Sequence, residues 1–125
     1  MLSVGIDLVE ISRIRRSLEN PRFLARVYGG EELAAHRIRK GRDESLAAAF
    51  AAKEAFSKAL GTGVRGFSLP EVQVLHDALG APYLSLSGRA AELAAEKNLE
   101  FSLSLTHTDQ YASAVVVAYG KGAFA

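Results

Sequence analysis

No cysteine occurs among the 125 residues. Disulfides and thiolate metal sites are therefore excluded, and the three histidines, His36, His76 and His107, are the only soft ligands left. No apolar stretch approaches the roughly 20 residues needed to span a bilayer. Asp7 and Glu10 interrupt the N-terminal apolar run before a signal-peptide core builds up, so a soluble cytoplasmic protein is the expectation. There is no internal repeat and no low-complexity segment. The chain also lacks a P-loop, a nucleophile elbow and a dinucleotide fingerprint, which removes the commonest one-motif routes to an activity.

A hydrophobic share of 49% suits one domain with a real core, expected to run over residues 1–125. The net charge is only +1, but it is unevenly placed. Residues 1–42 carry nine Lys/Arg against five acids, and residues 43–125 carry six against nine. The basic N-terminal third suggests an acidic protein or a phosphate-rich ligand; a solvated, salt-bridged surface accounts for the charge equally well.

The local pattern predicts an α+β domain with a long central helix packed on an antiparallel sheet. Leu2–Ile6 reads as a strand ending at Asp7, and Ser12 as the cap of a short helix through Leu18. Asn20-Pro21 marks the next helix start, with Gly29-Gly30 as its stop. Glu31–Lys40 opens with acids and closes with bases, matching a helix dipole, and Gly41 follows as a C-cap. Asp43 or Ser45 then caps the long helix to about Leu60, which Gly61-Thr62-Gly63 ends. Alternation predicts a hairpin over Val72–His76 and Pro82–Leu86, around the turn Asp77–Gly80. A short helix over Arg89–Lys97, a half-buried strand through Phe101, Leu103 and Leu105, and a Val-rich strand over Ala112–Tyr119, buried on both faces, complete the order.

The run Phe50–Gly63 carries the clearest chemistry. Ala47, Ala51, Glu54 and Lys58 share one helix face. Glu54 and Lys58 stand in the favourable order for an ion pair worth roughly 0.2–0.5 kcal/mol, which on its own is an ordinary surface pair. The alanine setting is what sets it apart, since alanines leave room for something to lie against the helix. Asp7 is read either as a turn-former or as a metal ligand at a strand end. Asp7 and Glu54 together would offer two hard oxygens, a set that suits Mg²⁺ when phosphates and waters complete its octahedron, with Lys58 as a point charge on the same phosphates. His107, in Ser104-Leu-Thr-His-Thr108-Asp109, is either a hairpin-end histidine satisfied by Asp109 or backbone, or a substrate contact. His36 and His76 have no second ligand at useful spacing and read as structural or surface residues.

Three segments in order, Gly5-Ile6-Asp7 with Glu10 and Arg13-Ile14, then Phe50-Ala-Ala-Lys53-Glu54-Ala-Phe-Ser-Lys58-Ala-Leu-Gly61-Thr-Gly63, then Ser104-Leu-Thr-His107-Thr108, strongly resemble the holo-acyl-carrier-protein synthases, the small single-domain class of 4′-phosphopantetheinyl transferases. The resemblance runs from Val4 to about Ala118. It implies transfer of 4′-phosphopantetheine from coenzyme A to a serine of apo-acyl carrier protein, releasing adenosine 3′,5′-bisphosphate, in support of fatty acid biosynthesis. It also implies Mg²⁺ at Asp7 and Glu54, coenzyme A diphosphate at Lys58, and a homotrimer with sites at protomer interfaces. His107, with Thr108, is implied near the nucleotide of coenzyme A, with a neighbouring subunit as one source.

With that resemblance, the basic third gains a partner. Acyl carrier proteins are acidic, so Arg13, Arg16, Arg22 and Arg26 become docking candidates beside Phe23. Arg13 is carried by the motif and the others by charge alone. One departure stands out: Ala49 occupies a position that is often arginine in this family, which hands any phosphate contact to Arg42 or Lys40. A small basic nucleic-acid-binding domain is the alternative; against it, exposed aromatics do not interleave the strands and basic charge fades after residue 42.

Overall fold

The computed structural model describes residues 1–63 and 65–124. Its backbone is organised around one helix, α4 (Arg42–Leu60), which lies across a three-stranded antiparallel sheet. The sheet runs in the order β1 (Leu2–Glu10), β5 (Tyr111–Gly120), β4 (Leu99–His107). A separate hairpin pairs β2 (Val72–His76) with β3 (Pro82–Leu86). Three short helices, α1 (Ile11–Ser17), α2 (Pro21–Val27) and α3 (Gly30–Arg37), lead from β1 to α4, and α5 (Gly88–Glu96) joins β3 to β4. The architecture is the α+β arrangement expected from the sequence.

Alanine explains how close α4 sits. Ala47, Ala51, Ala52, Ala55 and Ala59 are fully buried, and a Cβ on Gly5 of β1 would fall 1.9 Å from the Ala55 carbonyl oxygen. The alanines and Gly5 therefore clear space for the sheet, not for a ligand, and the clearance expected along Ala47 and Ala51 is corrected. Phe56 fills the space left beside them, edge-on to Phe67 and Phe101 with ring centroids 5.5 and 4.8 Å away. Burying such a ring contributes roughly 1.5–3 kcal/mol.

Several boundaries differ from the expectation, each for a local reason. β1 continues past Asp7 to Glu10 because β5 pairs with it throughout, from Leu2↔Tyr119 to Glu10↔Tyr111. Asp7 thus stands mid-strand opposite Ala114, not at a strand end. α1 begins at Ile11, whose N–H donates to the Gln110 carbonyl at 2.9 Å, so Ser12 is inside the helix rather than its cap. Asn20 caps α2 as read, accepting from the Arg22 N–H at 2.9 Å. α3 starts at Gly30 and stops at Arg37, three residues before Lys40. Gly41 is the residue before α4, with a φ of 74° that favours glycine; Asp43 and Ser45 lie within the helix and do not cap it. Asp43 instead binds Arg15 at 2.9 Å. Gly61 ends α4 in the left-handed region, as expected.

The two faces of the sheet differ. Ala112, Ala114, Val116 and Ala118 of β5 are buried under α4, while the residues between them are only half-buried, so β5 is covered on one face and not both. The outer face is apolar along β1, where Leu2, Val4, Ile6 and Leu8 are each at least 57% exposed. A contiguous exposed apolar stripe of this kind is the sort of surface that marks an interaction site.

Candidate active site

Asp7 and α4 meet on the inner face of β1. Lys58 Nζ donates to the Ile6 carbonyl at 2.8 Å and lies 3.3 Å from Asp7 Oδ1. The ammonium is thereby tied to the strand; the ion pair expected between Glu54 and Lys58 gives way to one with Asp7, because β1 passes directly under that turn of the helix. Two of its three N–H groups are used and one is left for a ligand. Glu54 is half-buried, and its carboxyl is raised above the ordinary carboxylate value, first by burial and then by the negative charge of Asp7, with Lys58 opposing.

Two carboxylates close enough to repel, with one ammonium beside them, form a donor set that fits a hard divalent cation. Among the described residues no group of three or more His, Asp or Glu is placed to hold a metal ion, which leaves Asp7 and Glu54 as a two-carboxylate candidate. Mg²⁺ is commonly held in that way, by one or two carboxylates with phosphate oxygens and waters filling the rest.

The other expected residues lie elsewhere. His107 and Thr108 line a cleft of about 550 Å³ on the β4 side of the sheet, with Arg39, Lys40, His76, Pro82 and Ser104. Thr108 also closes the β4–β5 turn, its hydroxyl accepting from the Gln110 and Tyr111 N–H groups at 3.2 and 3.1 Å. Arg42 does not line this cleft and pairs with Asp43 at 3.5 Å, whereas Lys40 does line it. Ala49 is fully buried in the core. Asp7, Glu54 and Lys58 are outside the cleft, so the acidic pair and His107 lie toward opposite edges of the three-stranded sheet, β1 and β4.

A second groove of about 540 Å³ opens beside α1. Arg13 and Phe23 line it with Phe50, Tyr111 and Leu8, and the Phe23 and Phe50 rings are 5.9 Å apart. Arg16, Arg22 and Arg26 are exposed nearby in sequence but do not line it.

Sequence reasoning missed two cleft residues, Arg39 and His76, and the burial of Glu32 and Lys53; His36, read as structural or surface, is buried with them. Burial lowers the His36 imidazole below its ordinary value, so its ring is held neutral, bonded to Ser45 and to the Val74 carbonyl. Burial also lowers Lys53, with Glu32 opposing.

The model of the 4′-phosphopantetheinyl transferase superfamily matches residues 3–116. The chain belongs to this superfamily. Among its transferase relatives, the holo-acyl-carrier-protein synthase of Caldanaerobacter subterraneus subsp. tengcongensis is 43% identical over 119 residues, covering 94% of each chain. That of Treponema denticola is 44% identical over 122 residues, covering 96% of this chain and 99% of its own. The holo-acyl-carrier-protein synthase structure from Neisseria meningitidis superposes with a TM-score of 0.87 at 35% identity, over 94% of this chain and 97% of that one. The synthase–coenzyme A complex from Chronobacterium ammoniagenes superposes with a TM-score of 0.85 at 31% identity, over 97% and 98%. These similarities leave the nucleic-acid-binding alternative without support.

Proposed function

We propose that the chain is a holo-acyl-carrier-protein synthase, a single transferase domain over residues 1–125 that moves 4′-phosphopantetheine from coenzyme A to a serine of apo-acyl carrier protein. The observation that carries the reading is the Asp7–Lys58–Glu54 grouping on a fold shared with a synthase that binds coenzyme A. Asp7 and Glu54 are the residues that would hold Mg²⁺, which when bound supplies positive charge to the diphosphate. The chain's own groups do the rest. Lys58, anchored by Ile6 and Asp7, presents its remaining N–H to a diphosphate oxygen. The serine oxygen attacks the phosphorus next to pantetheine, its proton passes to the Glu54 carboxylate, and the anhydride bond breaks to release adenosine 3′,5′-bisphosphate.

The nucleotide end of coenzyme A is assigned to the cleft of Arg39, Lys40, His76 and His107, in which Arg39 and Lys40 are the cations for phosphate beside the acids Glu44 and Asp109. Because that cleft and the acidic pair lie toward opposite sheet edges, one coenzyme A is best served by two chains. The exposed apolar stripe of β1 supplies the surface for a head-to-tail contact, which closes as a homotrimer. The groove of Arg13, Phe23 and Phe50 is assigned to the acidic carrier protein, with Arg16, Arg22 and Arg26 around it as steering charge. No helix among the described residues is long and apolar enough to cross a membrane, in keeping with a cytoplasmic role in fatty acid biosynthesis.

A thermal-unfolding comparison tests the binding half of this reading. Coenzyme A with Mg²⁺ should raise the Tm, while RNA and DNA at equal phosphate concentration should not, because a ligand stabilises only the state it binds. A shift with nucleic acid and none with coenzyme A would overturn the proposal.

A further inference from the structure

We propose that Lys53, together with Glu32, is a positioning residue pair that holds the two walls of the coenzyme A cleft in register; this rests on the transferase reading above. Both side chains are fully buried, and Lys53 Nζ lies 2.7 Å from Glu32 Oε1. The ammonium donates to three elements at once: Glu32 on α3, the Leu69 carbonyl at 3.1 Å, and the Val72 carbonyl at the start of β2. Glu32 is as fully committed. Its Oε1 accepts from the Gly29 N–H at 3.1 Å and its Oε2 from the Val74 N–H at 2.8 Å. Its own N–H donates to Gln73 Oε1 at 2.9 Å.

The position of Val74 shows what the group does. Its N–H is bound by Glu32, and its carbonyl lies 3.0 Å from His36 Nε2. Glu32 and His36, four residues apart on α3, therefore take up the edge of β2 that β3 leaves free. His36 also reaches Ser45 of α4 through Nδ1 and packs against the His76 ring at 5.5 Å. Ser45 and His76 stand on two different walls of the cleft, one on α4 and one on the hairpin. The buried network thus bolts the hairpin wall to the helix wall.

Packing alone does not call for such a group. A buried ion pair recovers its desolvation cost only with excellent geometry, and well-packed apolar side chains often serve stability as well or better. No buried side-chain polar atom among the described residues lacks a partner, so the network is complete. A complete, rigid polar network fixes one geometry where an oily contact tolerates several. Lys53 directly precedes Glu54, so the network also anchors the turn of α4 that carries Glu54.

The test is steady-state transfer by the double variant Glu32→Gln, Lys53→Met, beside the wild-type chain. Removing both charges avoids stranding one of them. The amide introduced by Glu32→Gln can bond the Val74 N–H with its oxygen and a freed carbonyl with its nitrogen. The variant is expected to remain folded at the assay temperature by circular dichroism. Its KM for coenzyme A should rise about tenfold or more, the scale on which small misplacements act. The KM for apo-carrier protein should stay unchanged, because the groove of Arg13 and Phe50 lies outside the network. A folded variant with the wild-type KM for coenzyme A, or with both KM values raised alike, overturns the proposal. If the double variant unfolds, Gln73→Ala decides: it removes one bond of the network and should raise the KM for coenzyme A alone, and no change would refute the proposal. If the wild-type chain transfers nothing, the transferase reading has failed by itself, and the dissociation constant for coenzyme A, measured by calorimetry on the same variants, carries the same comparison.

Discussion

Lys58 Nζ stands 3.3 Å from Asp7 Oδ1, so the strand, and not Glu54 one turn away, holds the ammonium of α4. Replacing this lysine separates chemistry from stability. Lys58→Met should lower kcat/KM for transfer about 100-fold, the scale of losing one preorganised charge on a transition state. The Tm should move little, because Lys58 is 54% exposed and such pairs are worth only about 1 kcal/mol or less. Kinetics and thermal unfolding on one preparation check both halves.

Gly5 is required by contact, not by conformation. A Cβ there would meet the Ala55 carbonyl at 1.9 Å and the Ala59 nitrogen at 2.7 Å, both backbone atoms that cannot swing away. Gly5→Ala should push α4 off β1 and cost about 3 kcal/mol or more, at the upper end of overpacking effects. Urea unfolding measures the loss. Because Asp7 and Lys58 meet across that same contact, transfer should fall with it.

The titration of Glu54 reports on Asp7. In metal-free protein, burial first and the Asp7 charge second raise the Glu54 carboxyl. Asp7→Asn removes the second cause, so the Glu54 midpoint, followed by carboxyl NMR, should move down. The sign for stability follows. A folded value above the unfolded one favours the protonated folded state, so its contribution is present below the unfolded pKa and is lost as pH rises through the folded one. Asp7→Asn should make that loss smaller. An unchanged midpoint would show that the two carboxylates do not sense each other.

Arg13 lines the groove beside Phe23 and Phe50, where an acidic partner would dock. Arg13→Glu should raise the KM for carrier protein about tenfold, equivalent to ~1.4 kcal/mol, and leave that for coenzyme A unchanged. The wild-type KM for carrier protein should also climb with salt, since screening shortens the reach of charge to about 10 Å at 0.1 M.

Much of this was legible in the sequence where a local rule is strong. Asn20-Pro21, the Gly61 stop and the alternation in Val72–His76 each produced the expected element. The three candidate residues Asp7, Glu54 and Lys58 also stand together, although Lys58 pairs with Asp7 and not Glu54 because the choice depends on which strand passes beneath the helix. The role of the alanines is not legible for the same reason: small residues admit a ligand or a sheet equally well until Gly5 is placed against Ala55. The burial of Glu32 and Lys53 is not legible because charge ordinarily means surface, whereas His36, read as structural or surface, is indeed a buried structural residue. Glu31 and Glu32 look alike as first-turn acids, yet the first is exposed and the second fully buried, a difference set by Lys53 and β2 arriving from 20 or more residues away in the chain.

The measurement that bears most directly on the chemistry is the mass of an apo-acyl carrier protein after incubation with coenzyme A, Mg²⁺ and this chain. The wild-type chain should add one phosphopantetheine arm to the carrier serine, and Glu54→Gln, folded by circular dichroism, should add none over the same interval. A carrier protein left at its starting mass by the wild-type chain, or modified equally fast by Glu54→Gln, would contradict the assignment.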